Sequence, residues 1–145
     1  MVDLGPGQKP DIMPHYPHMM AEDTQVWTKF LESERFDIGR VWYDVRVGQS
    51  VFVPVGADDR DRRIAAGLTR KRLDVVASVA GGLWVVEVKP YANMYAVGQV
   101  ITYARLFGLE YASPGPVIPV IICDDFDIDL VDEFDELGIL VIKND

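Results

Sequence analysis

Three ionisable residues stand close together in an otherwise apolar part of this 145-residue chain, namely Asp74, Glu87 and Lys89. Two carboxylates can hold a hard divalent cation through oxygen, with a neighbouring main-chain carbonyl as a further ligand. A cation bound in this way lowers the pKa of a water molecule, and an amine beside it can orient or deprotonate that water. These residue types therefore fit a metal-dependent hydrolytic site, provided that the fold brings them together.

The segments that contain these residues predict a β-hairpin. Residues 72–80 and 83–89 are runs rich in β-branched side chains, and the pair Gly81-Gly82 is typical of a two-residue turn. Both faces of the hairpin are largely apolar, which predicts that it lies in the middle of a sheet. Pro90 is expected to end the second strand.

The spacing predicts which side chains share a face of this hairpin. With both glycines in the turn, Asp74 lies opposite Lys89, and Val76 lies opposite Glu87. Because side chains alternate between faces with period two, Asp74, Glu87 and Lys89 all project from one side. The other side is predicted to carry Leu73, Val75, Trp84, Val86 and Val88.

Charges on a central strand pair need compensation, because burying an uncompensated charge costs several kcal/mol. A structural interpretation pairs Asp74 with Lys89 across the strands and lets Glu87 reach solvent at the margin of the sheet. A chemical interpretation gives the two carboxylates a cation and leaves Lys89 beside the attacking water. We favour the chemical interpretation, because clusters of perturbed charges tend to be functional.

The periodicity of the remaining chain predicts an α/β fold with a mixed sheet. The length and the apolar fraction of 49% suit a single core. Cys123, within an apolar run, is interpreted as a small buried residue. The predicted elements are a helix from residue 21 to before Phe36, a strand over 40–47, a polar stretch over 58–69 with one short helical turn, the hairpin, a helix over 92–107, a strand over 117–123, a helix over 128–137 and a short strand over 139–143.

The charge is distributed unevenly along the chain. The net charge is −9 at pH 7, and residues 110–145 account for all of it, with ten acidic residues and one lysine. A basic patch precedes Asp74 and could follow a phosphate backbone, although a solvated polar loop is an equal alternative. The patch consists of Arg60, Arg62, Arg63, Arg70, Lys71 and Arg72.

Residues 1–20 differ from the rest of the chain. They contain four prolines and two glycines and show no amphipathic period, so they are expected to form an extended arm, with residues 21–145 as one domain. An ordered arm would need something to hold it, which suggests a partner or a homo-oligomer. The chain has neither a long apolar run nor a signal-like N-terminus, so a soluble intracellular protein without a membrane partner is expected.

The motifs Asp74, Glu87-x-Lys89 and Gln99-x-x-x-Tyr103 resemble those of the PD-(D/E)XK nuclease superfamily, in particular its RecB-like branch. The resemblance implies that Asp74 and Glu87 bind Mg²⁺ or Mn²⁺ and that Lys89 is the catalytic lysine. It also implies that Gln99 and Tyr103 support the site or touch DNA. Gln99 and Tyr103 are one helical turn apart, so they share a face of a helix in any case.

The resemblance covers residues 21–123 and implies a restriction-endonuclease-like αβββαβ core, to which the chain adds a C-terminal αβ unit. Leu73 stands where the superfamily's name has proline, which is a frequent variation. Many RecB-like members carry an acid on the first helix, and the sequence does not decide among Glu22, Glu32 and Glu34. The pattern also resembles small proteins of tailed phages and prophages, which implies a location in the host cytoplasm or the virion.

Two functions follow as hypotheses. The first is a metal-dependent DNA phosphodiesterase, with DNA as the partner. The second is a phage virion or assembly protein that uses the nuclease fold as a non-catalytic building block. In the second hypothesis the arm and the acidic C-terminal region bind homo-oligomer partners or other phage structural proteins.

Overall fold

A five-stranded mixed sheet with helices on both faces forms the centre of the computed structural model, which confirms the predicted α/β class. The structure describes residues 1–49, 55–56 and 58–145, and the side chains of these except within 65–69. No helix in these ranges is long and apolar enough to span a membrane. The elements are α1 (Ala21–Ser33), β1 (Val41–Val47), α2 (Asp59–Thr69), β2 (Lys71–Val79), β3 (Gly82–Ala92), α3 (Met94–Glu110), β4 (Val117–Phe126), a 3₁₀ turn (Ile128–Leu130), α4 (Val131–Glu136) and β5 (Leu140–Lys143).

The strands follow one another across the sheet in chain order, β1 to β5. β1, β2 and β3 pair antiparallel, whereas β4 and β5 are parallel to β3 and are reached through helical crossovers. β3 continues past Pro90 to Ala92, so the prediction that Pro90 ends this strand is wrong. Parallel strands covered on both faces are apolar throughout, which explains the run that ends at Cys123. That thiol is fully buried, as interpreted from the sequence, and burial raises its pKa to about 11.

Helices cover both faces of the sheet. Trp27 and Phe30 of α1 pack on the face that includes Val86 and Val88 of β3. α3 lies on the other face, where Phe107 packs with β1, β2 and β3, and where its first turns pack with β4 and α4. β3 is thus buried between α1 and α3, and charged groups on it lie between the two layers.

The polar stretch over 58–69 forms the helix α2, so the prediction of one short helical turn is wrong. The Asp58 side chain accepts a hydrogen bond of 2.8 Å from the backbone N–H of Asp61, and its carbonyl accepts one of 2.9 Å from Arg62. This is the geometry of an N-cap, and Asp59 adds a favourable negative charge in the first turn. The stretch looked like a loop because residues 58–64 are exposed and carry few apolar side chains.

The turn of the β2–β3 hairpin lies one residue earlier than predicted. Val79 pairs with Gly82, so Ala80 and Gly81 form the turn, with φ angles of 49° and 82°. Two positive φ values are what a type I′ hairpin turn requires. Gly82 serves a different purpose, because a Cβ atom on it would lie 2.8 Å from the carbonyl oxygen of Pro116.

The contacts that hold the N-terminal arm come from this chain itself. Gln8 exchanges two backbone hydrogen bonds with Val41, of 3.0 and 2.9 Å, and Val2 bridges to the residue that follows α3. Tyr16 is buried in the core, and its hydroxyl lies 3.0 Å from the hydroxyl of Thr28. The arm thereby covers part of the outer edge of β1, which would otherwise offer unpaired backbone groups.

Candidate active site

The β2–β3 hairpin opens where the predicted site begins. The ladder between the strands ends at Val75, and beyond it the Asp74 carboxylate accepts a hydrogen bond of 3.0 Å from the backbone N–H of Val88. Continuing the observed register sets Asp74 against Glu87, so the predicted pairing with Lys89 is wrong. The earlier turn shifts each partner by two positions, and a shift of two does not by itself move a side chain to the other face of the sheet.

Asp44 of β1 explains a second departure from the predicted pattern. It has a φ of 54° and lies opposite Asp74, where the β1–β2 ladder skips one pair. Leu73 packs in the cluster beneath α3, whereas Val75 packs in the cluster beneath α1. The prediction that these two residues share a face is therefore wrong, because the alternation of side chains is interrupted beside the site.

Two carboxylates are buried where the hairpin opens. Asp74 is 9% exposed and Glu87 is 2% exposed. Burial raises the pKa of Asp74, and the hydrogen bond from Val88 opposes that shift. Burial also raises the pKa of Glu87 well above its usual value, and the charge of Asp74 raises it further. Both groups therefore favour a neutralising proton or cation more than exposed carboxylates do.

Lys89 stands beside this pair without being fixed to either member. Its positive charge lowers the pKa values of Asp74 and Glu87, yet it forms no ion pair with any residue in the described part of the chain. The Asp74–Lys89 ion pair of the structural interpretation is thus absent. The half-buried amine keeps its hydrogen-bond donors for another partner.

The first helix contributes an acid that the sequence analysis did not select. Asp23 is half-buried in the first turn of α1. Burial raises its pKa, the charge of Lys89 lowers it, and the charge of Asp23 in turn raises the pKa of Asp74. Asp23 precedes the buried Val26 and Trp27 by three and four residues, so helical periodicity could have placed it on the inward face. The candidates from sequence were Glu22, Glu32 and Glu34.

Gln99 and Tyr103 of α3 face the carboxylates from the other layer. Burial raises the pKa of Tyr103, the Gln99 side chain lowers it, and the charges of Glu87 and Asp74 raise it. Within the described chain, one oxygen of Glu87 and the amide oxygen of Gln99 are buried and have no hydrogen-bond partner. An acceptor without a donor is costly to bury, so both oxygens suit a cation or its water ligands.

The structure divides the predicted basic patch. Arg72 donates two hydrogen bonds, each of 2.6 Å, to the carboxylate of Asp44 and holds the pKa of that group low. Arg70 forms an ion pair with Glu110. Lys71 is exposed at the start of β2. Arg60, Arg62 and Arg63 of α2 are exposed, and so are Asp59 and Asp61 beside them.

The donor set fits Mg²⁺ better than a metal held entirely by protein ligands. No cluster of three or more His, Cys, Asp or Glu side chains with metal-binding geometry occurs among residues 1–49, 55–56 and 58–145. Mg²⁺ commonly uses one or two carboxylates and completes its shell with water and substrate phosphate. Asp74 and Glu87 match that requirement, and the unsatisfied oxygen of Glu87 offers a ligand atom.

Comparisons with known proteins support the fold. No family model and no curated protein matches the chain. A crystal structure of a repair endonuclease from Pyrococcus abyssi is similar, with a TM-score of 0.56 and 16% identity over 90% of this chain and 49% of that one. The crystal structure of a protein of unknown function matches with a TM-score of 0.45 and 15% identity, over 83% of this chain and 54% of that one. This similarity is too weak to support any inference.

The chain spans about half the length of each of these two solved structures. At such identity, the similarity to the endonuclease shows a shared, nuclease-like fold and does not transfer an activity. Any activity has to be argued from the site.

Proposed function

We propose that this chain is a metal-dependent DNA phosphodiesterase of the PD-(D/E)XK type, related to the RecB-like branch. The observation that carries the proposal is the buried pair of Asp74 and Glu87 at the open end of the hairpin, with Lys89 beside it and not ion-paired to a described residue. A purely structural charge cluster would satisfy its own members. This one keeps an amine and a buried oxygen available.

Each residue takes a role that its position suggests. Asp74 and Glu87 would hold Mg²⁺ or Mn²⁺, which when bound lowers the pKa of water and neutralises charge on the scissile phosphate. Lys89 would orient the attacking water or contact the phosphate through its ammonium group. Gln99 and Tyr103 would hold Glu87 in place from α3, and Asp23 would orient Lys89 from α1.

The DNA backbone would approach from the side of α2. The exposed Arg60, Arg62 and Arg63 would contact the phosphates, with Asp59 and Asp61 between them turned away from the backbone. Arg70 and Arg72 are engaged with carboxylates, so we assign them to holding β1 and β2 in place rather than to DNA.

A cleavage assay tests this proposal. Wild type should cut single-stranded, duplex or branched DNA with Mg²⁺ or Mn²⁺ and not with EDTA. Lys89→Ala should lose roughly 100-fold or more of the rate, whereas Lys143→Ala, which removes a half-exposed lysine on β5, should cut like wild type. The proposal is wrong if wild type cuts none of these substrates with either metal.

An assembly role, in a virion or another phage structure, is the second candidate. One observation favours it, because the acidic C-terminal unit also exposes apolar side chains, including Ile128 at 74% and Leu137 at 46%. Such a surface suits a protein partner that covers the exposed apolar side chains, and a second copy of this chain is one such partner. A stable homo-oligomer in sedimentation, together with inactivity in the cleavage assay, would favour this function over the first.

A further inference from the structure

A cavity of about 360 Å³ lies between the N-terminal arm and the end of α1. Most of its lining is apolar, with Phe30 and Leu31 of α1, Phe36 and Ile38 of the segment that leads to β1, and Pro10 of the arm. A volume of this size can hold a small organic molecule. Because apolar side chains gain when their surface is removed from water, this lining favours a ligand with an apolar body.

The cavity is separate from the candidate active site. The first turn of α1 contains Asp23, which is close enough to Lys89 for its charge to be felt, whereas Glu34 at the other end of the helix lines the cavity. The helix advances roughly 16 Å between these two acids. A ligand in the cavity therefore touches neither Asp74 nor Glu87, and its binding does not depend on the proposed function.

Two carboxylates line the cavity together with the apolar side chains. Glu34 and Asp37 are both exposed, so they reach water at its opening. Neither forms an ion pair with a residue in the described part of the chain. Their negative charges favour a cation in the opening and disfavour an anion.

The end of α1 adds negative potential at the same place. The last carbonyl groups of a helix carry partial negative charge, and the last turn of α1 contains no basic residue that would offset it. The bases nearest in sequence, Lys9 and Arg35, do not line the cavity. The Arg35 guanidinium instead donates a 2.8 Å hydrogen bond to the carbonyl of Lys143, and its central carbon lies 5.9 Å from the centre of the Phe36 ring. The described residues that face the cavity are thus apolar or acidic.

We propose that this cavity binds a small organic cation. Its apolar body would lie against Phe30 and Phe36, and its ammonium group would lie beside Glu34 and Asp37. Aromatic rings attract cations as well as apolar groups, so an arylalkylamine makes both kinds of contact. The ligand class is an amine with an aryl or branched alkyl body.

Titration of the whole ¹⁵N-labelled chain with three related compounds tests this proposal. Phenethylammonium carries a positive charge, 2-phenylethanol is neutral, and 3-phenylpropionate carries a negative charge. The ammonium compound should shift the backbone amide signals of Leu31, Phe36 and Ile38, with a dissociation constant on the order of 1 mM or below. The alcohol should bind roughly 3- to 10-fold more weakly, and the anion should cause no shift.

Variants without charge separate the carboxylates from the apolar lining. Glu34→Gln combined with Asp37→Asn keeps the shape of both side chains and should bind phenethylammonium roughly 3- to 10-fold more weakly than wild type. This variant should no longer distinguish phenethylammonium from 2-phenylethanol. Glu32→Gln is the matched control, because Glu32 is exposed on α1 and does not line the cavity, and it should bind phenethylammonium like wild type.

Three results would overturn the proposal. The first is equal binding of the cation, the alcohol and the anion by wild type, which would mean that apolar contact alone holds them. The second is a set of shifts that falls on the acidic α4 and not on the cavity, and the third is no shift with phenethylammonium in the millimolar range. None of these results bears on DNA cleavage, and a wild type that cuts no DNA would leave the cavity's ligand class unchanged.

Discussion

Glu87 is the residue whose burial most clearly has to be compensated. Its side chain is 2% exposed, one of its oxygens has no partner within the described chain, and the charge of Asp74 adds repulsion. At neutral pH the folded state must therefore either bind a proton at this pair or tolerate an unfavourable charge. A neutral residue in place of Glu87 should stabilise the fold and abolish metal binding at the site. Such a conflict between stability and activity is common at functional sites.

The first prediction follows from the raised pKa of Glu87. A carboxyl whose pKa is higher in the folded state contributes stability that is complete below its unfolded pKa and is lost as the pH rises through the folded pKa. Glu87→Gln should therefore raise the free energy of unfolding by roughly 1 to 3 kcal/mol at pH 8 in EDTA. The gain should shrink as the pH falls towards about 4.3, the usual pKa of glutamate.

Urea unfolding at pH 5, 6, 7 and 8 measures this difference. Glu133→Gln, on the exposed face of α4, is the matched control and should change stability little at any pH. A gain from Glu87→Gln that does not depend on pH, or a loss at pH 8, would show that the folded state stabilises the Glu87 charge.

At the scale of elements, the β2–β3 hairpin sets the position of the site. Its turn places a non-glycine residue, Ala80, at a φ of 49°. A β-carbon makes that conformation costly, and glycine relieves the strain at some cost in unfolded-state entropy. Ala80→Gly should therefore increase the free energy of unfolding by about 0.5 kcal/mol or more. Gly81→Ala, at a φ of 82°, should decrease it.

Denaturant midpoints of these two turn variants decide the register. DNA cleavage by Ala80→Gly should equal that of wild type, because the site lies at the other end of the hairpin. If Ala80→Gly instead lowered the free energy of unfolding, as glycine does inside a regular strand, Ala80 would lie outside the turn and the observed pairing would be wrong.

The sequence predicted the order of the elements well, because apolar periodicity records which faces are buried. The helix–strand order, the hairpin and the stripe of Gln99 and Tyr103 on one helix all follow from spacing. The exact turn did not follow, because Gly81 and Gly82 look alike in sequence although only one supplies a turn conformation. The close approach of Gly82 to Pro116 is a tertiary contact that local patterns cannot record.

The parts of the site that sequence missed depend on the tertiary structure. The positive φ of Asp44 interrupts β1 and β2, and its bond with Arg72 joins residues 28 positions apart. Asp23 comes within electrostatic range of Lys89 only once α1 has packed on the sheet. α2 was missed for a different reason, because a surface helix with few apolar side chains lacks the amphipathic signal.

At the scale of the whole molecule, the uneven charge should make DNA binding sensitive to salt. Arg60 and Arg63 are exposed on α2, and each phosphate contact contributes to the slope of affinity against salt concentration. Changing both to Ala should weaken binding at low salt and reduce that slope by about 2, or somewhat less for single strands. Anisotropy titrations at several salt concentrations measure it.

An exposed arginine elsewhere provides the control for that comparison. Arg35 lies just beyond α1, and its guanidinium donates a 2.8 Å hydrogen bond to the carbonyl of Lys143. The control variant is Arg35→Ala. For this control, the slope of DNA affinity against salt concentration should match that of wild type. If changing Arg60 and Arg63 to Ala left the slope unchanged, α2 would not contact DNA.

The N-terminal arm packs on the domain and should unfold together with it. Tyr16 is 3% exposed and joins the arm to α1 through its hydroxyl contact with Thr28. Tyr16→Ala should lower the free energy of unfolding by about 3 kcal/mol, as for other buried aromatic residues. Tyr16→Phe, which loses only the hydroxyl, should cost about 1 kcal/mol. Urea unfolding checks both, and a negligible effect of Tyr16→Ala would mean that the arm is detached in solution.

The central claim is that Asp74 and Glu87 together hold one divalent cation. Electron paramagnetic resonance of free Mn²⁺ measures this directly and needs no DNA. Wild type should remove one Mn²⁺ per chain from solution. Asp74→Asn, which keeps an acceptor for the Val88 N–H, and Glu87→Gln should both lose that ion, whereas Lys89→Ala should retain it. Mn²⁺ binding that is absent in wild type, or equal in wild type and both carboxylate variants, would contradict the account.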